Sequence, residues 1–448
     1  MNWRCVYHCL IDTWMGLDRH IWTWMGLDLL FTPKLIPKTK SIPFLPKPQP
    51  PPPGRMQGEA RLPPACVSKV LDDDDLLAEI IVRVGFPTSL VRAAAVCRRW
   101  LSHASDGAFL RRFRELHPPR LLGFYIAERE YPASTRFFPM LHLPPELAAV
   151  VHRASFRPDA YEGAHAHVVG CSNGSVFTHR ASFYVDTFKL VFARHRPLCY
   201  ERGMRMTILP GLKLRTSPGS MYSWAQLFSK QEEDGWSYFY LAVKDIMGAP
   251  GVLLYVYMLQ NGDDVWCLHL TLASDLYPYQ SPKGVLLDNK IYLATDDAII
   301  VLDLTSSILS TIQPPHGVSF DVSGTTILSR ADDGSVLYLI HIKELQLQIW
   351  LHNGDNWLLV DTICLSEMCA NFLEDEPTAD IQINHVGDYN EFVFLEMGRC
   401  VLYLDVKHRT LRKVYKMTAD EYYLGDIYPF MMSWPPIFPT LSPARNAT

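Results

Sequence analysis

The feature that most constrains the fold is the spacing of short apolar runs in the C-terminal part of the chain. Beyond Pro119, apolar and polar residues alternate with a period near two, which is typical of half-buried β-strands. Turn-forming sequences such as Ser172-Asn173-Gly174 separate these runs. Almost nothing between residues 160 and 417 has the periodicity of a long helix. The sequence therefore predicts an all-β domain.

The repeat length of these runs indicates how the strands are arranged. Four similar runs, at 256–259, 301–304, 349–352 and 402–405, begin 45, 48 and 53 residues apart. A repeat of roughly 40 to 50 residues with about four strands is typical of a β-propeller blade. The repeats share no Trp-Asp pair and no double glycine, so the sequence favours a degenerate propeller. A pair of β-sandwiches is the alternative, since it can give similar spacing.

A short helical segment precedes the β domain. The aspartates at 72–75 can cap a helix start, and apolar residues at helical spacing follow them. Breaks at 85–87 and 105–107 divide the segment into three predicted helices. About 47 residues make only a marginal core. We therefore expect another protein to cover part of the apolar surface.

The remaining segments complete a multidomain α+β organisation. Residues 1–31 form a Trp-rich segment with a tandem repeat, in which Thr-Trp-Met-Gly-Leu-Asp begins at Thr13 and again at Thr23. This segment is unassigned: it is either a docking segment or sequence outside the working protein. Residues 32–66 contain eleven prolines and are predicted to be an extended linker. The helical module is placed at 67–117, the β domain at 118–440 and a tail at 441–448.

Three ordered motifs within residues 71–116 carry a family resemblance. They are Asp-Asp-Leu-Leu-x-Glu-Ile at 74–80, Pro-x-Ser-Leu at 87–90 and Val-Cys-Arg-Arg-Trp at 96–100. The segment resembles an F-box, as found in plant, grass-type F-box proteins with a C-terminal β-propeller-like associated domain. One departure concerns the start of the motif, because the family usually has proline where Asp72 follows Leu71.

The resemblance implies a substrate-recognition subunit of an SCF-type ubiquitin ligase. The F-box would bind a Skp-type adaptor, and through it a cullin, while the β domain would bind an unknown target protein. The side chains implied in the adaptor surface or the module core are Leu76, Leu77, Ile80, Ile81, Pro87, Leu90, Val91, Val96 and Trp100. No catalytic residue, cofactor or metal is implied. The alternative is a protein-interaction scaffold that is not coupled to a ligase.

Other chemistries receive little support from the sequence. Gly-x-Ser-x-Gly around Ser172 matches a nucleophile elbow, but a strand is predicted after it where a hydrolase needs a helix. Neither Cys5, His8, Cys9 and His20 nor the pair His165 and His167 has established zinc spacing. A net charge of −5 does not favour nucleic-acid binding.

Two further features bear on location. Charged residues interrupt every apolar run near the N-terminus, so no membrane span is expected. The ten cysteines are dispersed without a Cys-x-x-Cys pair, which favours reduced thiols. We therefore expect a protein of the cytoplasm, the nucleus or both.

Overall fold

The structure is a computed structural model of the chain. It describes residues 71–85, 87–117, 120–127, 135–154, 156, 167–184, 187–198, 206–215, 222–232, 235–246, 250–278, 283–320, 323–330, 336–354, 356–373, 380–387, 391–419, 421, 424–436 and 438. The segments assigned above to residues 1–31, 32–66 and 441–448 lie outside this set, as does His165. The chain divides into two compact units. The first contains the helices of residues 71–117, called here the helical unit, and the second spans residues 119–435.

The helical unit contains four short helices rather than the three predicted. They are α1 (Asp74–Ile81), α2 (Pro87–Ala94), α3 (Arg98–Ala104) and α4 (Gly107–Leu116). Asp73 caps α1 by accepting hydrogen bonds from the backbone of Asp75 and Leu76, at 3.0 Å each. The second predicted helix is interrupted before Cys97, whose backbone is extended at φ −162° and ψ 170°. That extended residue separates α2 from α3.

Where the structure describes it, the second unit is made of short antiparallel strands with two further helices, α5 (Pro145–Arg153) and α6 (Ser366–Leu373). In chain order the strands are β1 (Leu121–Ala127), β2 (Thr135–Pro139), β3 (His167–Ser172), β4 (Ser175–Tyr184), β5 (Thr187–His195), β6 (Met206–Ile208), β7 (Leu212–Arg215), β8 (Tyr222–Glu232), β9 (Gly235–Asp245), β10 (Val252–Leu259), β11 (Cys267–Ser274), β12 (Val285–Leu287), β13 (Lys290–Ala294), β14 (Ile299–Asp303), β15 (Ile308–Ile312), β16 (Thr326–Arg330), β17 (Leu337–Lys343), β18 (Gln346–Asn353), β19 (Asn356–Cys364), β20 (Ile381–Val386), β21 (Phe392–Met397), β22 (Cys400–Asp405), β23 (Thr410–Lys416) and β24 (Asp426–Met431).

These strands form the six blades of a β-propeller. Blade 1 has the order β2-β1-β24, and blade 2 combines β3-β4-β5-β6 with β7, which pairs with β5. Blades 3 to 6 are four-stranded and use β8–β11, β12–β15, β16–β19 and β20–β23 in order. The runs at 256–259, 301–304, 349–352 and 402–405 lie on or at the ends of β10, β14, β18 and β22. Each of these is the third strand of its blade, which confirms the predicted repeat and replaces the sandwich alternative.

The two ends of the propeller meet in blade 1. Strand β1 pairs with β24 in antiparallel register, with Tyr125 opposite Tyr428 and Phe124 opposite Pro429. Phe430 of β24 is fully buried and contacts Phe137 and Phe156, with its ring centroid 5.2 Å from that of Phe156. Pairing of the first strand with the last closes the ring and places β1 between β2 and β24, hydrogen-bonded on both sides.

Apolar clusters fill the spaces between neighbouring blades. One cluster joins blades 3 and 4 through Leu254 and Ile300, and another joins blades 5 and 6 through Ile349 and Leu402, all almost fully buried. Helix α6 contributes Cys369 to the second cluster. Because each blade buries one face against each neighbour, the strands can be short and still share a continuous core. Among the described helices, none combines the length and apolar character required to cross a bilayer.

Candidate functional site

The nine apolar side chains singled out in the helical unit differ in burial. Leu77, Ile81, Pro87 and Leu90 are buried, whereas Leu76, Ile80, Val91 and Trp100 are partly exposed, and Val96 exposes 45% of its surface. The first four therefore act as core residues. The other five remain accessible to solvent, as does Leu116 of α4, which exposes 54% of its surface.

Helix geometry explains this division on α1. Leu77 and Ile81 are four residues apart and share one face, as do Leu76 and Ile80. Adjacent residues are about 100° apart around a helix, so the two pairs form neighbouring stripes. One stripe is buried and the other is only partly covered. An aliphatic stripe of this kind can contribute to the apolar centre of a protein interface.

The surface extends into the break between α2 and α3. Val96 lies in this break, and Trp100 follows four residues later on α3. An exposed aliphatic residue and a partly exposed tryptophan are typical anchors of protein interfaces. We call the set Leu76, Ile80, Val91, Val96 and Trp100 the aliphatic surface.

Arg99 fixes the segment that leads into α1. Its guanidinium donates to the carbonyl oxygens of Leu71 and Asp72, at 2.6 and 2.7 Å, and to Oδ1 of Asp74 at 2.8 Å. The arginine and His103, 2.8 Å from the same carboxylate, lower the pKa of Asp74. These contacts hold the chain at the position where the family usually has proline. The side chain responsible lies within the Val-Cys-Arg-Arg-Trp motif.

A second ionic contact ties α1 to α4. The carboxylate of Glu79 forms ion pairs with Arg83, just past the end of α1, and with Arg112 of α4. Hydrogen bonds from Arg112 and then Arg83 lower the pKa of Glu79. Because these groups are exposed, the pairs contribute more to orientation than to stability.

The Gly-x-Ser-x-Gly motif around Ser172 lies on a hairpin. Ser172 ends β3 and pairs with Ser175 at the start of β4, while Asn173 and Gly174 both have positive φ. Asn173 donates to the carbonyl oxygen of Trp434 at 2.7 Å. A nucleophile elbow needs a helix directly after the serine, and here a strand follows. Within the described residues, no three His, Cys, Asp or Glu side chains lie close enough to hold a metal ion.

The central channel of the propeller is lined by one strand from each blade. Residues on or beside β3, β8, β12, β16, β20 and β24 surround a cavity of about 200 Å³. Its polar lining residues include Gln226, Lys283, Arg330, Asn384, His385 and Asp426. Several already bind backbone: Gln226 contacts Gly284 at 2.8 and 3.0 Å, and Asn384 accepts from the backbone N–H of Ile427 at 2.9 Å. These side chains cross-link neighbouring inner strands.

One ion pair lies in the channel beside an aromatic ring. Lys283 Nζ is 3.1 Å from Asp426 Oδ2 and 3.7 Å from the centre of the Tyr428 ring. The side chains of Lys283 and Asp426 keep 33% and 37% of their surface accessible. Burial alone would lower the pKa of Lys283, but Tyr428 and Asp426 outweigh it and raise that pKa. Lys283 is therefore charged at neutral pH.

Three further titratable groups beside this pair are neutral. Burial, with the nearby Lys283 charge, lowers the pKa of His385 to about 3. Burial also raises the pKa of the Cys171 thiol and of the Tyr428 hydroxyl. The channel thus combines the charged side chains of Lys283, Arg330 and Asp426 with several uncharged polar groups.

A larger cavity of about 570 Å³ lies between blades 2 and 3 and reaches the same ion pair. Its walls are mainly apolar and aromatic: Val169, His179, Leu190, Phe192, Leu214, Tyr222, Trp224, Ala225, Leu227 and Tyr240. Its polar groups include Gln226, Lys283, Asp426 and Tyr428. We call this cavity the aromatic pocket. Its volume is in the range of small-ligand sites, about 300–1,000 Å³.

Sequence reasoning did not identify either cavity. Their residues are scattered between Val169 and Pro429, and propeller closure alone brings them together. A weak signal existed in the polar residues that interrupt short apolar runs, such as Gln226 and Asn384-His385. Such residues read as turns until the strands are placed around a common axis.

Comparisons with known proteins agree with this architecture. Residues 167–438 match the family model described as "F-box protein AT5G49610-like, beta-propeller". No curated protein matches the chain.

Among solved structures, the polysaccharide lyase Uly1 is similar at TM-score 0.34 and 10% identity, over 62% of this chain and 60% of the lyase. A chain of the Mitotic Checkpoint Complex is similar at TM-score 0.30 and 13% identity, over 56% and 65%. Protein lmo1340 from Listeria monocytogenes EGD-e gives 0.29 and 11%, over 56% and 82%. The chain thus spans less than two thirds of the first two structures, and these resemblances carry no argument about activity.

Proposed function

Because the chain belongs to the F-box protein AT5G49610-like β-propeller family, we propose that it is the substrate-recognition subunit of an SCF-type ubiquitin ligase. The helical unit would be the F-box of a plant, grass-type member and bind a Skp-type adaptor, and through it a cullin. The propeller would bind a target protein. The proposed site of action is the cytoplasm, the nucleus or both.

The observation that carries the proposal is the partial exposure of the aliphatic surface. Ile80 and Trp100 are only partly covered, although the unit has few apolar residues to bury. Small helical units seldom leave such residues accessible unless a partner completes the core. Tryptophan is among the side chains that contribute most to binding energy at interfaces, and the centre of an interface is typically apolar.

The role proposed for the chain is non-catalytic. A receptor of this kind acts by holding its target near a ligase, which raises the effective concentration of the target at the transfer site. Activity then depends on two binding surfaces of one chain and needs no reactive side chain. The hairpin position of Ser172 agrees with that role.

Capture of a purified Skp-type adaptor by the full chain tests the proposal. The double variant Ile80→Asp with Trp100→Ala places a charge in the aliphatic surface and removes its largest ring. We expect its adaptor affinity to fall by at least about 100-fold, since each such anchor contributes about 2 kcal/mol or more. Circular dichroism and thermal unfolding check that the variant is folded.

Ser102→Asp is the matched control. Ser102 is exposed on α3 and lies outside the aliphatic surface, so the same charge there should leave capture unchanged. If a folded double variant binds the adaptor as tightly as the original chain, the docking surface is wrongly assigned. If the original chain does not bind the adaptor at all, the scaffold alternative, in which Asp72 has replaced the family proline, becomes the better account.

A further inference from the structure

The aromatic pocket is lined by two chemically different sets of residues. Phe192 and Tyr240 are almost fully buried in its wall, with ring centroids 5.4 Å apart, while Tyr222 and Trp224 are partly exposed. The lining also includes the ion pair of Lys283 and Asp426. A ligand that fills the cavity must therefore place an apolar group among the rings and a polar group at the ion pair.

The ion pair limits which polar group can be accommodated. Lys283 Nζ and Asp426 Oδ2 are 3.1 Å apart, so a charged group that is attracted by one of them lies close to a charge of its own sign on the other. A carboxylate attracted by Lys283 would be repelled by Asp426, and an ammonium would meet the reverse. An uncharged group with both a donor and an acceptor meets no such repulsion. The peptide amide is such a group.

We infer that the aromatic pocket takes an aromatic residue of a target protein, with the ring against the partly exposed Tyr222 and Trp224 and a flanking peptide amide at the Lys283–Asp426 pair. The inference rests on the proposed function, in which the propeller binds a target protein. The segment of the target protein that binds the pocket would then be uncharged and would lie away from the charged ends of its chain. The cavity volume of about 570 Å³ can hold one aromatic residue together with its flanking amides.

Four small probes test separately whether the aromatic rings and the Lys283–Asp426 pair contribute to binding. N-acetyl-L-phenylalaninamide carries the ring and two neutral amides, and N-acetylglycinamide carries the amides alone. N-acetyl-L-phenylalanine is an anion, and L-phenylalanine is a zwitterion. Ligand-observed NMR titrations against the full chain give the dissociation constants. A single residue of this size is expected to bind at about 1 mM.

We expect the neutral aromatic probe to bind at least about tenfold more tightly than each of the other three, since it alone combines the ring with amide groups and carries no charge. The peptide acetyl-Gly-Gly-Phe-Gly-Gly-amide should bind at least as tightly as that probe, which distinguishes a peptide occupant from a small molecule. Tightest binding by the zwitterion or the anion would overturn the inference, as would weaker binding of the peptide or no binding of the neutral probe at about 10 mM.

A blocking variant tests the location. Ala225 lines the pocket and its side chain is exposed, so Ala225→Trp fills the cavity without removing a buried group. Ser310→Trp adds the same bulk on the exposed face of β15, outside the pocket. Binding of the neutral probe should be lost in Ala225→Trp and retained in Ser310→Trp. Equal binding by both folded variants would place the ligand elsewhere.

Adaptor capture by the same preparations separates this inference from the proposed function. Loss of probe binding with intact adaptor capture concerns only the pocket. Failure of adaptor capture with intact, pocket-dependent probe binding concerns only the ligase assignment. The two results are therefore distinguishable in one set of samples.

Discussion

Replacing Leu77 by alanine should open the helical unit, whereas Leu76→Ala should not. Leu77 has no exposed surface, and its neighbour Leu76 on the same helix is partly exposed. The substitution removes three buried carbons, worth about 2.4 kcal/mol at about 0.8 kcal/mol each. The cavity left behind brings the expected cost to about 2–5 kcal/mol. A unit of about 47 residues typically has only about 2–7 kcal/mol of stability.

Hydrogen–deuterium exchange of the full chain, followed by mass spectrometry, measures this loss. Peptides from α1 to α4 should exchange at least about 50-fold faster in Leu77→Ala, which corresponds to 2.4 kcal/mol. Leu76→Ala should accelerate the same peptides by less than about tenfold, because less area is lost from burial. Peptides from β9 and β21 serve as an internal reference. Equal acceleration by both substitutions would refute the division between core and surface.

Three further predictions concern electrostatics and closure. Arg99→Met should speed hydrogen–deuterium exchange at the start of α1, whereas Arg98→Met, at an exposed neighbouring position, should not. An NMR titration of Arg99→Met should find the pKa of Asp74 closer to 3.8. Since that pKa is lowered in the folded chain, the contribution of Asp74 is present above 3.8 and lost as pH falls through the lowered value. The pKa of His385 is lowered from 6.5 to about 3, so as the pH falls through this interval the unfolded chain binds a proton before the folded chain does, and stability decreases. The stability of His385→Asn, measured by urea unfolding, should therefore depend less on pH between these values. An unchanged pH dependence would contradict this. Phe430→Ala should destabilise the closed propeller by about 3–5 kcal/mol, and an unchanged urea midpoint would show that the rings of blade 1 do not hold the closure.

The middle strands of the blades were predictable from the sequence, but most inner strands and several outer strands, such as β15 and β23, were not. Strands such as β10, β13 and β18 have clear apolar runs bounded by turns, because they pack between two neighbouring blades. The inner strands β8, β12, β16, β20 and β24 face the channel and carry polar residues there. The polar residues of these strands are explained by the channel, which exists only once the propeller has closed. Local sequence periodicity therefore does not predict them.

The helical unit was predictable in composition and less so in detail. The motif residues, the cap near Asp73 and the helix starts follow from local rules. Periodicity did not locate the extended residue Cys97, which ends one helix and begins another. It also could not separate Leu76 from Leu77, since adjacent apolar residues fit a wide helical face equally well. Burial of one over the other is decided by packing between helices.

The contacts of Arg99 show a similar limit. The sequence indicates only that Asp72 stands where the family usually has proline. The structure supplies a different restraint on the same segment, through carbonyl groups that any residue would offer. Every residue has a backbone carbonyl group, so the sequence does not show which carbonyl groups Arg99 will bind. That its hydrogen bonds restrain the segment in place of the proline is seen only in the structure.

The most direct test of the account is an exchange footprint of a purified Skp-type adaptor on the full chain. Adaptor binding should slow exchange in peptides that contain Leu76, Ile80, Val91, Val96 and Trp100, while strands of the propeller exchange at their original rates. Slower exchange confined to the propeller, or no change in the helical unit at saturating adaptor, would contradict the proposal that the aliphatic surface is the docking site.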